Sequence, residues 1–189
     1  MLFARPFVSS RRLDGLRRCL ILQQLTPREL RRFGVECQFR DYAAGESLVE
    51  QDTLGTELHL LIEGLVDITV RGREGAEVKV SEVRKGDVLG EASIFSDLPR
   101  TASAVARIPC HVAVIPRDSL FAFCDANPRA GLKIFAFVIF SLLKRLQSTS
   151  RELADAREAG ITREDLDRLH EHMPKSLGDM LGQAARWEE

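Results

Sequence analysis

The stretch Gly86-Asp87-Val88-Leu89-Gly90-Glu91-Ala92-Ser93-Ile94-Phe95-Ser96-Asp97-Leu98-Pro99-Arg100-Thr101-Ala102-Ser103 holds the residues best suited to recognising a small anionic molecule. Gly90 lets the backbone turn sharply and leaves room for a ligand, and the segment after it can form one helical turn whose free N–H groups point at an anion. Arg100 supplies a planar, permanently charged guanidinium that can grip two phosphate oxygens at once, a geometry lysine does not offer. Glu91 is an acceptor-only carboxylate suited to a sugar hydroxyl. A carboxylate and an arginine returning to one pocket describe a ligand with a hydroxyl beside a phosphate.

The elements that must position these groups change character along the chain. Residues 12–33 suggest helices, with Thr26-Pro27-Arg28-Glu29 as a start signal in which Thr26 accepts from an early backbone N–H and Pro27 takes the first helical position. From Val35 the rhythm is of short strands between glycine turns: Val35–Tyr42, Ser47–Glu50, Glu57–Glu63, Leu65–Arg71, Val78–Val83, Thr101–Ile108 and His111–Ile115. Such spacing predicts a sandwich or small barrel. Alternation places Leu58, Leu60 and Ile62 on one face and His59 and Leu61 on the other, Glu63-Gly64 forms a hairpin, and Gly45, Gly55, Gly72, Gly75 and Gly86 are expected at corners with positive φ.

After Pro116 the period becomes helical. Arg117–Ala126 fits a short helix, and Asn127-Pro128 opens a long one to about Ala156. Leu132, Phe135, Ile139, Leu142, Leu146 and Leu153 form a heptad seam, with Ile134, Phe137, Val138 and Phe140 as a second apolar surface for packing on the barrel. A parallel homodimer is therefore expected. Gly160 ends this helix, Thr162 caps another, and residues 174–189 read as a last amphipathic helix.

The quoted residues are similar to those of the cyclic-nucleotide-binding domain family, shared by catabolite-activator-type regulators, kinase regulatory subunits and nucleotide-gated channels. The resemblance covers about residues 25–155. It rests on Ala44-Gly45-Glu46, Gly55 before Glu57–Gly64, the Gly86-Asp87 turn, and a cassette from Gly90-Glu91 to Pro99-Arg100-Thr101-Ala102 with the Glu-to-Arg spacing of the kinase regulatory domains. It implies a mainly β fold with flanking helices: a double-stranded β-helix, or jelly-roll, barrel with N-terminal helices, a long C-terminal dimerisation helix and a short helical tail. The segments are then 1–33 (N-terminal helices), 34–126 (barrel, with the phosphate-binding cassette at 90–101), 127–157 (dimerisation helix) and 158–189 (acidic tail).

The resemblance further implies that Glu91 takes the ribose 2′-hydroxyl and Arg100 the phosphate oxygens, with backbone N–H groups near Ser93 and Thr101 completing the cradle and Ala92, Pro99 and Ala102 shaping it. On pattern alone, Val80, Val83 and Leu89 are placed against the base. Ala92-Ser93 is smaller than the aliphatic pair common in the family. Thr101 permits cGMP as ligand without requiring it, and cAMP is preferred. Leu146-Gln147-Ser148-Thr149-Ser150 resembles the run with which catabolite activators reach the adenine, but it lies one helical turn later, about 6 Å by helix rise. Thr149 and Ser150 are thus weak base-contact candidates, and Thr149 as a polar register-setting residue in the seam competes.

Composition fits a folded domain: 44% hydrophobic and 29% charged residues with formal net charge −1. Residues 1–32 hold eight arginines against Asp14 and Glu29, whereas after Ser150 ten acidic residues face six basic ones. The basic start could meet an anionic partner or the acidic tail, or be a solvated face. Cys19, Cys37, Cys110 and Cys124 lack the spacing of a disulfide or zinc framework and read as buried free thiols of a cytosolic protein. No signal peptide or membrane span is expected, since Ile134–Leu143 falls short of about 20 residues.

Ile161-Thr162-Arg163-Glu164-Asp165-Leu166 resembles the first helix of a helix-turn-helix. His170-Glu171-His172-Met173-Pro174 replaces the tight turn, however, and no basic recognition helix follows, so DNA contact is not expected. His170 and His172 alone do not make a metal site, and no nucleophile–base or P-loop pattern points to an enzyme. The expected protein is a stand-alone dimeric cyclic-nucleotide receptor whose helices shift on binding and whose output is contact with an unidentified protein effector. The alternatives are a catabolite-activator-type transcription regulator with a degenerate DNA-binding tail, or a ligand-free scaffold.

Overall fold

The computed structural model describes residues 8–72, 75–95 and 98–158, without the side chains of residues 148, 149 and 151–158. The chain divides into two units, Met1–Phe140 and Ser141–Glu189. The helical tail expected after Gly160, including the Thr162 cap, lies outside the described residues.

Helix α1 (Ser10–Arg18) starts on the Ser9 side chain, and a single 3-10 turn follows at Leu20–Leu22. Helix α2 (Pro27–Glu36) is closed by a full capping box: Thr26 Oγ1 accepts from the Glu29 amide and Glu29 accepts from the Thr26 amide at 2.7 Å. The helix runs on through Val35 and Glu36, expected as strand, because Leu30, Phe33 and Gly34 bury one face and the Cys37 amide closes its end on the Gly34 carbonyl. The eight strands are β1 (Gln38–Tyr42), β2 (Ser47–Val49), β3 (Glu57–Glu63), β4 (Leu65–Arg71), β5 (Glu77–Arg84), β6 (Val88–Leu89), β7 (Ser103–Ala106) and β8 (Cys110–Pro116). Helix α3 (Glu91–Phe95) interrupts them, and α4 (Arg117–Ala126) and α5 (Pro128–Glu158) follow.

The strands form two antiparallel four-stranded sheets, ordered β1-β8-β3-β6 and β2-β7-β4-β5, the jelly-roll arrangement expected. In the first sheet, β3 and β8 are buried on both faces. Leu58, Leu60, Ile62, Ala113 and Ile115 join a core with α1, α2, α4 and the first turns of α5, while Leu61, Val112 and Val114 join a second core with residues of the other sheet. The register explains the split: Leu58 pairs with Ile115 and Leu60 with Ala113 on the helix side, His59 with Val114 and Leu61 with Val112 on the inner side.

Some corners differ from expectation. Gly45, Gly64, Gly75, Gly86 and Gly90 have positive φ, but Gly55 and Gly72 do not, and the non-glycine Asp52 does (φ +64°). On α5, Ala130, Ile134 and Val138 face the core, whereas Phe140 is exposed rather than packed on the barrel. Phe135, expected in the seam, is half-buried between Phe95 and Phe121, with ring centroids 5.7 and 6.2 Å away. The spacing that suits a heptad also suits α3 and α4, and those aromatic neighbours win it. Leu132, Ile139, Leu142 and Leu146 are exposed, and the side chain of Leu153 lies outside the described residues. The four cysteines are free thiols, buried except for half-buried Cys37.

Candidate functional site

Strand β6 delivers the chain to Gly90, whose φ of +85° turns it into α3. A Cβ at Gly90 would stand 2.6 Å from the Glu57 carbonyl oxygen and 3.1 Å from Arg100 Nη1, so the position must be bare. Glu91 and Ser93, the first and third residues of α3, are buried, Glu91 with 2% of its surface exposed.

Arg100 is held from two directions. Its backbone is clipped to the turn after β2, the Asp52 amide donating to the Arg100 carbonyl and the Arg100 amide to the Thr53 carbonyl, both at 2.9 Å. Its guanidinium lies over Gly55, where a Cβ would be 2.7 Å from Cζ. The residue is only 9% exposed, and among the described residues its side chain makes one hydrogen bond, to Ser93 Oγ at 3.4 Å. Burial lowers the Arg100 pKa while the Glu57 carboxylate opposes that shift; a guanidinium stays charged regardless.

Glu57 accepts from Arg40 of β1 at 2.8 Å, which raises the Arg40 pKa. Its other oxygen is 3.8 Å from His59 Nε2. His59 is 1% exposed, and burial, then the Arg100 charge, pull its pKa down to about 4. Glu57, His59 and Leu61 share the inner face of β3, so the signal for this pair was the period-two parity already visible in the sequence. A cavity of about 310 Å³ lies beside Arg100, lined also by Ser47–Glu50, Thr53–Gly55 and Glu57. A larger groove of about 860 Å³, over Arg11, Arg12, Arg18 and His111, touches none of the expected site residues.

The other expected residues divide. Val83 and Leu89 are buried together in the inter-sheet core. Val80 does not join them. A bulge pairs Ile68 with Ser81 and Thr69 with Lys79, leaving Val80 unpaired and 51% exposed. Ala92 and Pro99 are exposed, as is Thr101, and Ala102 is half-buried. Ser150 is exposed on the second unit, and the side chain of Thr149 lies outside the described residues. Sequence reasoning passed over Arg117: at the start of α4 its guanidinium donates to the Ser93 carbonyl and its amide to the Thr56 carbonyl. Among the described residues no group of three potential metal ligands occurs, and no helix is long and apolar enough to cross a membrane.

The two-sheet jelly roll, with an internal helical turn that carries a buried glutamate and a buried arginine after it, is the geometry against which known proteins are compared. Residues 39–127 match the family model described as cyclic nucleotide-binding domain. It is 28% identical over 127 residues to the cAMP-activated global transcriptional regulator CRP of Pasteurella multocida, covering 67% of this chain and 59% of the relative. It is also 28% identical over 140 residues to a CRP-like cAMP-activated global transcriptional regulator of Mycobacterium tuberculosis, covering 74% and 61%. The chain thus spans about three fifths of these relatives. Among solved structures, the Thermus thermophilus catabolite activator protein superposes with TM-score 0.63 at 26% identity, covering 72% of this chain and 62% of that one. A cyclic nucleotide-binding domain from Methylobacillus flagellatus gives 0.64 at 24%, covering 81% and 84%, and shares the fold.

Proposed function

We propose that the chain is a cyclic-nucleotide receptor in which Arg100 grips the ring phosphate, Glu91 holds the ribose 2′-hydroxyl, and amides near Ser93 and Thr101 complete the cradle. Val83 and Leu89 form the apolar floor toward the base. One observation carries this reading: Arg100 is a nine-tenths-buried cation with five N–H donors and, among the described residues, a single long side-chain hydrogen bond. A buried charge so sparsely met calls for an acceptor-rich anionic partner. cAMP is the preferred ligand over cGMP, in keeping with the cAMP-activated names of the relatives.

Binding would be read out through α3. Ser93 is tied to Arg117 of α4, and Phe95 packs on Phe135 of α5, so a ligand that pulls on α3 favours one arrangement of α4 and α5 over another. The hinge lies within Arg117–Pro128. The exposed Leu132 and Ile139 are assigned to a homodimer contact, and the output is contact with a protein effector.

Titration calorimetry with cAMP and cGMP on the whole chain and on Arg100→Ala tests the site. Arg100→Ala is expected to lose about 2 kcal/mol, roughly 30-fold in affinity. Equal binding by both proteins would refute the assignment. The relatives' names also favour a second reading, a transcription regulator. A salt-dependent shift of random DNA by the chain would support it, whereas the acidic excess after Ser150 opposes it.

A further inference from the structure

The cavity of about 310 Å³ beside Arg100 has a second charged residue in its wall, and it is an anion: Glu57. A guanidinium that is to receive a phosphate thus shares one small volume with a carboxylate of the protein's own, which can pair with it instead. The Glu57 charge is felt at Arg100, where it opposes the effect of burial. Yet the carboxylate is held by another residue. Arg40 lies on β1 opposite Val112 of β8, and Val112 lies opposite Leu61 of β3. The Arg40 side chain therefore runs diagonally across β8 to Glu57 and meets it as a fork, Nη2 donating to Oε1 at 2.8 Å and Nη1 to Oε2 at 3.3 Å. Gln38 Oε1 accepts from the same Nη2 at 2.9 Å and steadies the fork. We propose that Arg40 is a positioning residue of the ligand site: its two hydrogen bonds withhold the Glu57 carboxylate from Arg100 and leave that guanidinium to the phosphate. This rests on the cyclic-nucleotide reading above.

The groups around Glu57 leave this task to Arg40. His59 Nε2 is 3.8 Å from Glu57 Oε2, but burial, then the Arg100 charge, hold that imidazole at about 4, so at neutral pH it brings no charge to the carboxylate. Arg40 and Glu57 are 39% and 31% exposed. An ion pair so placed adds little to stability, so its removal is felt at the site rather than in the fold. The charges then set an order. Arg40, Glu57 and Arg100 together carry a single net positive charge, which Arg40→Ala cancels, Glu57→Gln doubles and the two changes together restore. Affinity for a singly charged phosphodiester follows that order.

The test is calorimetric titration with cAMP of the full chain, Arg40→Ala, Glu57→Gln, the double variant and Arg100→Ala, with urea unfolding of each alongside. Arg40→Ala is expected to bind cAMP roughly tenfold more weakly at little change in stability, and Glu57→Gln about threefold more tightly. The double variant is expected to return to within about threefold of wild type. That rescue is what a strut between strands would not show, since the double variant lacks both halves of the pair. A double variant as weak as Arg40→Ala, or an Arg40→Ala that binds like wild type, overturns the role of Arg40, and leaves the receptor reading standing if Arg100→Ala still weakens cAMP. Absence of saturable binding by wild type, or equal binding by Arg100→Ala, overturns both. If Arg40→Ala does not fold, Glu57→Gln decides: tighter binding upholds the proposal, and equal or weaker binding overturns it.

Discussion

At the scale of single residues, Gly55 separates binding from folding. Its φ is ordinary, but a methyl group there would fall among the Arg100 guanidinium atoms. The obstacle is the far end of a flexible side chain, which can swing away. Gly55→Ala is therefore expected to change stability by less than about 1 kcal/mol, measured by urea unfolding, while weakening cAMP at least tenfold in calorimetry. Unaltered affinity would show that the guanidinium need not occupy that place. His59 gives a second prediction at this scale. Because its pKa is about 4 in the fold against 6.5 ordinarily, the unfolded chain binds the proton more readily. The cost is absent above pH 6.5, grows as pH falls, and is complete below 4, reaching about 3 kcal/mol. Unfolding curves from pH 7 to 4 should thus fall more steeply for wild type than for His59→Gln, and parallel curves would contradict the buried neutral ring.

At the scale of elements, α1 meets the barrel at a point without slack. A Cβ on Gly15 would stand 2.5 Å from Ile62 Cγ2, inside the helix-side core. Gly15→Ala is expected to lower stability by about 1–3 kcal/mol at unchanged urea m-value, since helix and strand must separate to admit it. No loss would mean that α1 is free to ride up. Sequence reading succeeded where local chemistry decides. The Thr26 cap with Pro27 behind it, the Glu57–Glu63 and Leu65–Arg71 strands and the Arg117–Ala126 helix each follow from caps or alternation. It failed where partners decide. Strand β6 is two residues long and exists because His59 and Leu60 pair with it; Val80 left the inner face because of a bulge set opposite Ile68 and Thr69; Phe135 was drawn to Phe95 and Phe121. Of the candidate site, Gly90, Glu91, Ser93 and Arg100 were legible as a spaced cassette, while the Asp52–Arg100 clip and the Arg117 contact join positions far apart in the chain.

At the scale of the whole molecule, Ile139 is 59% exposed on the first unit while its neighbour Val138 is buried. Ile139→Asp is expected to turn a micromolar dimer into a monomer in light scattering without lowering the melting temperature of the barrel. A wild-type monomer would remove the proposed contact. The double-sided burial of β3 and β8 reaches further. The family match begins at residue 39, beyond α1 and α2. A fragment cut to that boundary would strip the roof from Leu58, Leu60 and Ile62 and present them to water. Such a trimmed piece is expected to precipitate or to bind hydrophobic dyes, so the smallest soluble unit extends upstream of the segment by which the family is recognised.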